Sequence, residues 1–424
     1  MSRRRTFLKQ MVSVAGATGL GGILAVQRAF GEQLLDLTSV ERGNWQRLRD
    51  RYLLDPGITY FNHGSIGTVP RAVHEAHVGY LRVCEKNPWL YMWGGEWEEP
   101  REEVRRKSAR LLGCSPEEVA LTHNTTEGFS ILAGGLDLGP GDEVLFSSLN
   151  HDGASVSWYH NAKSKGFTVR RFHHPLDTIA SASADEVLDL YDRQITSRTR
   201  VLVLPHIDNM VGLLHPVKEL AALARGRGVE IVAVDGAQSV GMREVNVRDL
   251  DVDVYCASPH KWVQAPKGTG MMYLRSEIQR EVRPMWMTWG QERWKGTVRV
   301  FEDYGTRNLP ELLAMGDAID FQTSLGSDSK EERYRELWEL FRGRAHSSGR
   351  VIWRSPESWE LSASLFALEV KGKDSRDVFD TMYHQRGFVF RAFHTKELNT
   401  VRISPNVFAT DDDVTRFFDG VASL

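Results

Sequence analysis

Residues 231–239 read Ile231-Val232-Ala233-Val234-Asp235-Gly236-Ala237-Gln238-Ser239, and residues 257–262 read Ala257-Ser258-Pro259-His260-Lys261-Trp262. The first stretch is a short apolar run that stops on a carboxylate and a glycine, as expected of a strand buried on both faces. Just upstream, residues 217–228 carry apolar side chains at helical spacing and close on Gly228. Further apolar runs stand at 119–121, 144–146 and 201–204, with longer helical patterns between them. Strand and helix in alternation predict an α/β protein with a mostly parallel sheet covered on both faces.

The texture changes after residue 309. A helical segment at 311–325 leads into a highly charged one at 330–344. Then come a strand candidate at 365–370, a helix from Ser375, a strand near 388–390 and a strand–helix pair from Val401. The reading is an N-terminal segment and large domain over 32–308, and a smaller α+β domain over 309–424 completed by residues from the N-terminal region. A chain of 424 residues has ample core for both. Its formal net charge of -3 gives no reason to expect a nucleic-acid partner. Cys84, Cys114 and Cys256 lack the spacing of a zinc site or a disulfide framework, so no metal is expected. Cys256 reads as a buried strand residue, and a Cys84–Cys114 pairing stays open.

Residues 3–9 read Arg3-Arg4-Arg5-Thr6-Phe7-Leu8-Lys9, before a weakly apolar, glycine-diluted stretch at 11–26. This resembles a twin-arginine export signal over residues 1–31, with cleavage near Ala29-Phe30-Gly31. The bland alternatives are a short anchor or a basic tail. The export reading implies the twin-arginine translocation machinery as a partner. It also implies a periplasmic mature protein with no stable membrane span, since no other apolar run is long enough.

Ligands of open α/β sheets bind beyond the carboxyl ends of the strands, where Asp235 would arrive. A carboxylate there is costly unless a cation meets it, and a pyridinium nitrogen would serve. Alone, Asp235 is equally a helix cap. Lys261 follows an apolar run and precedes the glycine-rich Pro266-Lys267-Gly268-Thr269-Gly270, and its amine could condense with an aldehyde. Alone, it reads as one more solvated lysine. The interval between the two leaves room for one helix and one strand.

Taken together, Asp235-x-x-Gln238 and Ser258-x-His260-Lys261 resemble the core of the class V aminotransferases, a fold-type I group dependent on pyridoxal 5'-phosphate (PLP). Tyr60-Phe61-Asn62-His63-Gly64-Ser65 and Asn124-Thr125-Thr126-Glu127-Gly128 bring the chain nearest to the isopenicillin N epimerase-like branch, over roughly residues 55–410. The resemblance implies that Lys261 holds the cofactor and later shuttles a proton, while Asp235 faces the ring nitrogen. It places Gln238 at the phenolic side of the ring, His151 on the ring face and Asn209 near the ring substituents. Asn150 departs from the acidic residue common beside that histidine. Thr125, Thr126, Ser258 and His260 match the phosphate contacts, and Thr306 matches a contact made across a homodimer interface. Arg402 matches the clamp for a substrate carboxylate, with Asn62 beside it.

Transamination, epimerisation and decarboxylation all begin from such a site, so the outcome stays open. Cysteine desulfuration needs a mobile nucleophilic thiol before the arginine. Here that region reads Phe390-Arg391-Ala392-Phe393-His394, which has no cysteine and adds two aromatic rings and a cation, Arg391, that either faces substrate or only pairs with a surface acid. The expected substrate is a small molecule bearing an amino group, either a free amino acid or an amino acid within a peptide-like metabolite. Exported relatives of the second kind include the enzyme that converts a glutamate side chain during pyoverdine siderophore maturation. A fold that has lost its activity is the remaining reading, and the presence of both Lys261 and Asp235 argues against it. The tryptophan-rich stretch 88–97 fits core or dimer packing better than a substrate entrance.

Overall fold

The computed structural model describes residues 22–32 and 45–424 except Lys396, so the twin-arginine motif lies outside the described residues. The strands are β1 (Thr59–Tyr60), β2 (Val119–Thr122), β3 (Glu143–Ser147), β4 (Thr168–Phe172), β5 (Thr199–Pro205), β6 (Ile231–Asp235), β7 (Val254–Ala257), β8 (Gly270–Leu274), β9 (Val351–Trp353), β10 (Phe366–Val370), β11 (Phe388–Val389), β12 (Arg391–His394) and β13 (Asn399–Ile403). A seven-stranded sheet runs β2-β8-β7-β6-β5-β3-β4, in which only β8 pairs antiparallel with its neighbours. Strands β2, β3 and β5 to β8 are apolar and almost wholly buried, as helices on both faces require. The apolar side chains divide into two clusters, one on each face of this sheet.

Pairing of Pro205 with Asp235, and of Asp235 with Cys256, brings the carboxyl ends of β5, β6 and β7 level. The residues that follow these strands therefore meet at one edge. The interval between Asp235 and Lys261, which has room for one helix and one strand, holds only strand β7. Residues 236–253 run as turns instead, with Gly241 at φ 95° backed against the Trp262 carbonyl. The Asn246 side chain takes the amides of Arg248 and Asp249, which diverts the chain from a helical ladder.

The C-terminal region carries a four-stranded antiparallel sheet, β12-β13-β10-β9, over a third cluster that includes Phe341, Phe366 and Phe417. Strand β1 pairs in parallel with β11, so the N-terminal region does complete this part of the fold. The Leu309–Leu325 helix packs against the Arg71–Cys84 and Glu98–Leu112 helices. Residues 22–32 are helical, and Ile23 and Phe30 are buried in the cluster that also holds Val83. All three cysteines are free, and Cys256 lies buried in β7. Of the tryptophan-rich stretch, Trp97 is buried while Trp89 and Trp93 are exposed. Among the described residues no helix is long and apolar enough to cross a membrane, and no cluster of His, Cys, Asp and Glu could hold a metal.

Candidate active site

Asp235 ends β6 at the common edge, and its Oδ1 accepts the Ala237 amide at 2.9 Å. It is 5% exposed, and no cation lies within ion-pair distance of it among the described residues. Lys261 follows β7 through a turn closed by its own amide on the Ser258 carbonyl at 3.0 Å. Desolvation lowers its amine to about 8, with the charge of Asp235 opposing and that of Arg402 assisting. The amine thus keeps an appreciable neutral fraction near physiological pH, which a solvated lysine does not.

Thr125 opens the Thr125–Gly135 helix, which Asn124 caps through the Glu127 amide at 2.9 Å. The Ser258 hydroxyl accepts the Thr125 amide at 3.1 Å and lies 2.8 Å from the Thr125 hydroxyl. Exposed Thr126 stands beside them. A Cβ on Gly153 would come within 2.5 Å of the Thr126 hydroxyl and 3.0 Å of His151 Nδ1, so only glycine fits between them. His151 caps its own helix, its Nδ1 accepting the Gly153 amide at 3.0 Å. Hydroxyls and free amides at a helix N-terminus form an anion cradle. His260 Nδ1 lies 3.0 Å from the Thr269 carbonyl, and burial lowers the ring to about 4. In the neutral ring Nδ1 therefore carries the proton, and Nε2 can donate to an anion only once the ring is protonated.

Gln238 is committed at both ends: its Nε2 donates to the Gly64 carbonyl and its Oε1 accepts the Trp262 indole, both at 2.8 Å. One N–H of its amide remains for a ligand. Arg402 is 2% exposed and donates to the Asn209 carbonyl at 3.0 Å, Asn62 Oδ1 at 2.9 Å and Ser65 Oγ at 2.6 Å. Asn209 thus reaches the site through its backbone. Arg391 sits opposite Arg402 on β12. Thr306 is exposed and lines a cavity of about 130 Å³ with Trp93, Arg299 and Arg307.

Sequence reasoning missed three contributors. Asp208 is fully buried, and its oxygens accept the amides of Met210, Val211 and Leu213 at 2.7, 2.9 and 2.6 Å. Burial outweighs those bonds and raises its carboxyl to about 6. The run Asp208-Asn209-Met210-Val211-Gly212 carries this turn signal, an acid accepting amides two and three residues ahead. Ser65 stood in a motif already singled out. Gly67 has no signal of its own: its Cβ would lie 1.9 Å from the Lys261 carbonyl oxygen, and its amide donates to the His260 carbonyl at 2.8 Å.

Residues 59–417 match the family model described as aminotransferase class-V. The chain belongs to the class V aminotransferase family. Isopenicillin N epimerase of Streptomyces clavuligerus is 29% identical over 397 residues, covering 90% of this chain and 98% of the relative. A cysteine desulfurase of Salmonella gallinarum is 29% identical over 292 residues, 64% of this chain and 68% of that protein. Among solved structures, a mutant of the lyase C-DES with glycine covalently linked to its PLP cofactor superposes with a TM-score of 0.80. It is 22% identical and covers 89% of this chain and 99% of that one.

The class V chain is a PLP-dependent enzyme, and its residues fit that cofactor. The unpaired Asp235 carboxylate suits a protonated pyridine nitrogen, the Thr125–Ser258 cradle suits the phosphate, and the Lys261 amine suits the aldehyde. The fold is the fold-type I architecture, with its mostly parallel central sheet.

Proposed function

We propose that this class V enzyme acts at the amino-bearing carbon of an amino acid, free or within a larger metabolite, by aminotransferase- or epimerase-like chemistry. The observation that carries this reading is the meeting of three groups: a depressed Lys261 amine and, among the described residues, a buried unpaired Asp235 and a buried Arg402 with no acid partner. When bound, PLP supplies an electron sink for charge developing at the carbon beside the amino group. Asp235 would hold a positive charge on the ring nitrogen, and Thr125, Thr126 and Ser258 would hold the phosphate. His151, which the family resemblance puts at the ring face, would lie against the cofactor ring. Arg402 orients the substrate carboxylate through its planar fork, itself aimed by Asn62 and Ser65. Lys261, neutral in part near pH 8, takes and returns the proton at the reacting carbon.

Desulfuration does not fit. Burial raises all three thiols, Cys114 to about 12, and none lies on the strand before Arg402. The test is α-proton exchange: holoenzyme incubated with amino acids in deuterated water should exchange the α-proton, followed by magnetic resonance. Products then separate the outcomes, an oxo acid marking transamination and an inverted centre marking epimerisation. Absence of exchange with every amino acid and amino-terminal peptide tried would refute the reading.

Two further proposals concern the whole molecule. Export by the twin-arginine route to the periplasm is supported by Arg4-Arg5 with Phe7-Leu8-Lys9. A homodimer is supported by Thr306, exposed in one chain and matching the family's cross-subunit phosphate contact.

A further inference from the structure

Strands β12 and β13 pair antiparallel with Arg391 directly opposite Arg402. Residues directly opposed in a sheet project from the same face, where two like charges repel. Elsewhere in this sheet such a cost is avoided: Arg354, beside β10, is paired with Glu369 at 2.7 Å. The Arg391–Arg402 pair has no such relief. Among the described residues neither guanidinium has a carboxylate within ion-pair distance. Arg402 bonds only to neutral oxygens, and its Nε is buried with no partner at all. Asp208, a carboxylate whose charge acts on Arg402, has its oxygens taken by three backbone amides.

The two cations also share a wall. The ring of Phe393, on β12 with Arg391, has the Arg391 guanidinium carbon 5.9 Å from its centroid and that of Arg402 at 5.7 Å. Arg402 is buried and its charge acts on Lys261, while Arg391, against the same ring, is exposed. A ligand reaching from the reacting carbon past Phe393 would meet one cation and then the other.

We propose that Arg391 is a specificity-determining residue that receives a second acidic group of the substrate, while Arg402 holds the carboxylate next to the reacting carbon. The substrate class is thus a dicarboxylic amino compound. This rests on the reading of the site as one that works on amino acids. The second carboxylate can come from a side chain or from the far end of a short peptide, and the recognising chemistry is the same.

The test uses holoenzyme and follows the cofactor absorption band as ligand is added. The probes are L-glutamate, L-aminoadipate, the neutral isostere L-glutamine, L-norvaline, and γ-glutamyl-glycine with its C-terminal carboxyl free or amidated. A charge-assisted contact at Arg391 should favour an acid over its neutral isostere by about tenfold or more. In the Arg391→Gln variant the dicarboxylic ligands should weaken by about that factor and the neutral ones by less than about twofold. Arg391→Lys should recover part of the preference, because the charge remains without the fork. Preference for the free amino acids identifies a side-chain acid, and preference for the free over the amidated peptide identifies a terminal one; either supports the proposal. Equal binding of acids and isosteres by the wild type overturns it, as does an equal loss for all ligands in Arg391→Gln. If no ligand perturbs the band although borohydride still fixes the cofactor on Lys261, the amino-acid reading falls and this proposal with it.

Discussion

Replacing Gly67 with alanine isolates the contact that holds the Lys261 loop in place. The new Cβ would sit 1.9 Å from the Lys261 carbonyl oxygen and 3.0 Å from that of His260, where ordinary contact begins at 3.4 Å. Both obstacles are backbone, so no rotamer relieves them, and the segment around residue 67 must retreat by about 1.5 Å. That retreat breaks the Gly67 amide bond to His260, now 2.8 Å, and loosens the Lys267 ammonium on the Gly67 carbonyl, also 2.8 Å. One buried backbone bond is worth about 1 kcal/mol and overpacking costs about 1–3 kcal/mol, so a loss of about 2–4 kcal/mol is expected. The shift also propagates to Asn62 and Ser65, which aim Arg402, so carboxylate ligands should bind more weakly. Urea unfolding monitored by circular dichroism measures the first effect, and titration of the cofactor band measures the second. Gly343→Ala is the control: it lies inside the Ser327–Ser348 helix with open space around its Cβ and should gain up to about 1 kcal/mol. A Gly67→Ala protein within about 0.5 kcal/mol of wild type, with ligand binding intact, would refute the idea that this contact fixes the loop.

Three other outcomes follow from the site. The rate at which apo-protein captures PLP should climb about tenfold per pH unit and level off near pH 8, where Lys261 loses its proton. In Asp235→Asn the levelling should move lower, because the carboxylate that favours the ammonium is gone; stopped-flow absorbance reads both, and a plateau only above pH 10 would contradict the assignment. Arg402→Lys should raise KM for monocarboxylic amino acids by about tenfold or more, since a point charge cannot span a carboxylate in the Asn62–Ser65 seat. Asp208→Asn should cost about 1–3 kcal/mol in urea unfolding, because an NH2 group must replace an acceptor of backbone amides.

The large sheet was legible because its central strands are buried on both faces. Runs such as 201–204 and 231–234 leave no alternation to misread. The reversed β8 was not, since antiparallel and parallel buried strands share one composition. The interval after Asp235 shows the limit of spacing arguments: its length leaves room for a helix, but tertiary contacts of Gly241 and the Asn246 side chain decide the path. At the site, Lys261, Asp235 and Arg402 were singled out only through the resemblance to the class V family, since each alone reads as an ordinary solvated, capping or ion-paired residue. Asp208 was passed over although it too is charged, since its partners are backbone amides that no residue type announces. Gly67 could not be found at all, because what forbids a side chain there is a carbonyl almost two hundred residues away.

Arg402 takes its aim from Asn62, a residue 340 positions earlier in the chain. Thr125, Ser258 and Lys261, by contrast, leave the ribosome well before the last strands are made. The order of synthesis therefore separates two competences. A nascent or C-terminally truncated chain holds every side chain assigned to the cofactor but lacks the guanidinium assigned to the substrate. Truncation just before β13 should accordingly yield at most a protein that takes up vitamin B6 without processing amino acids.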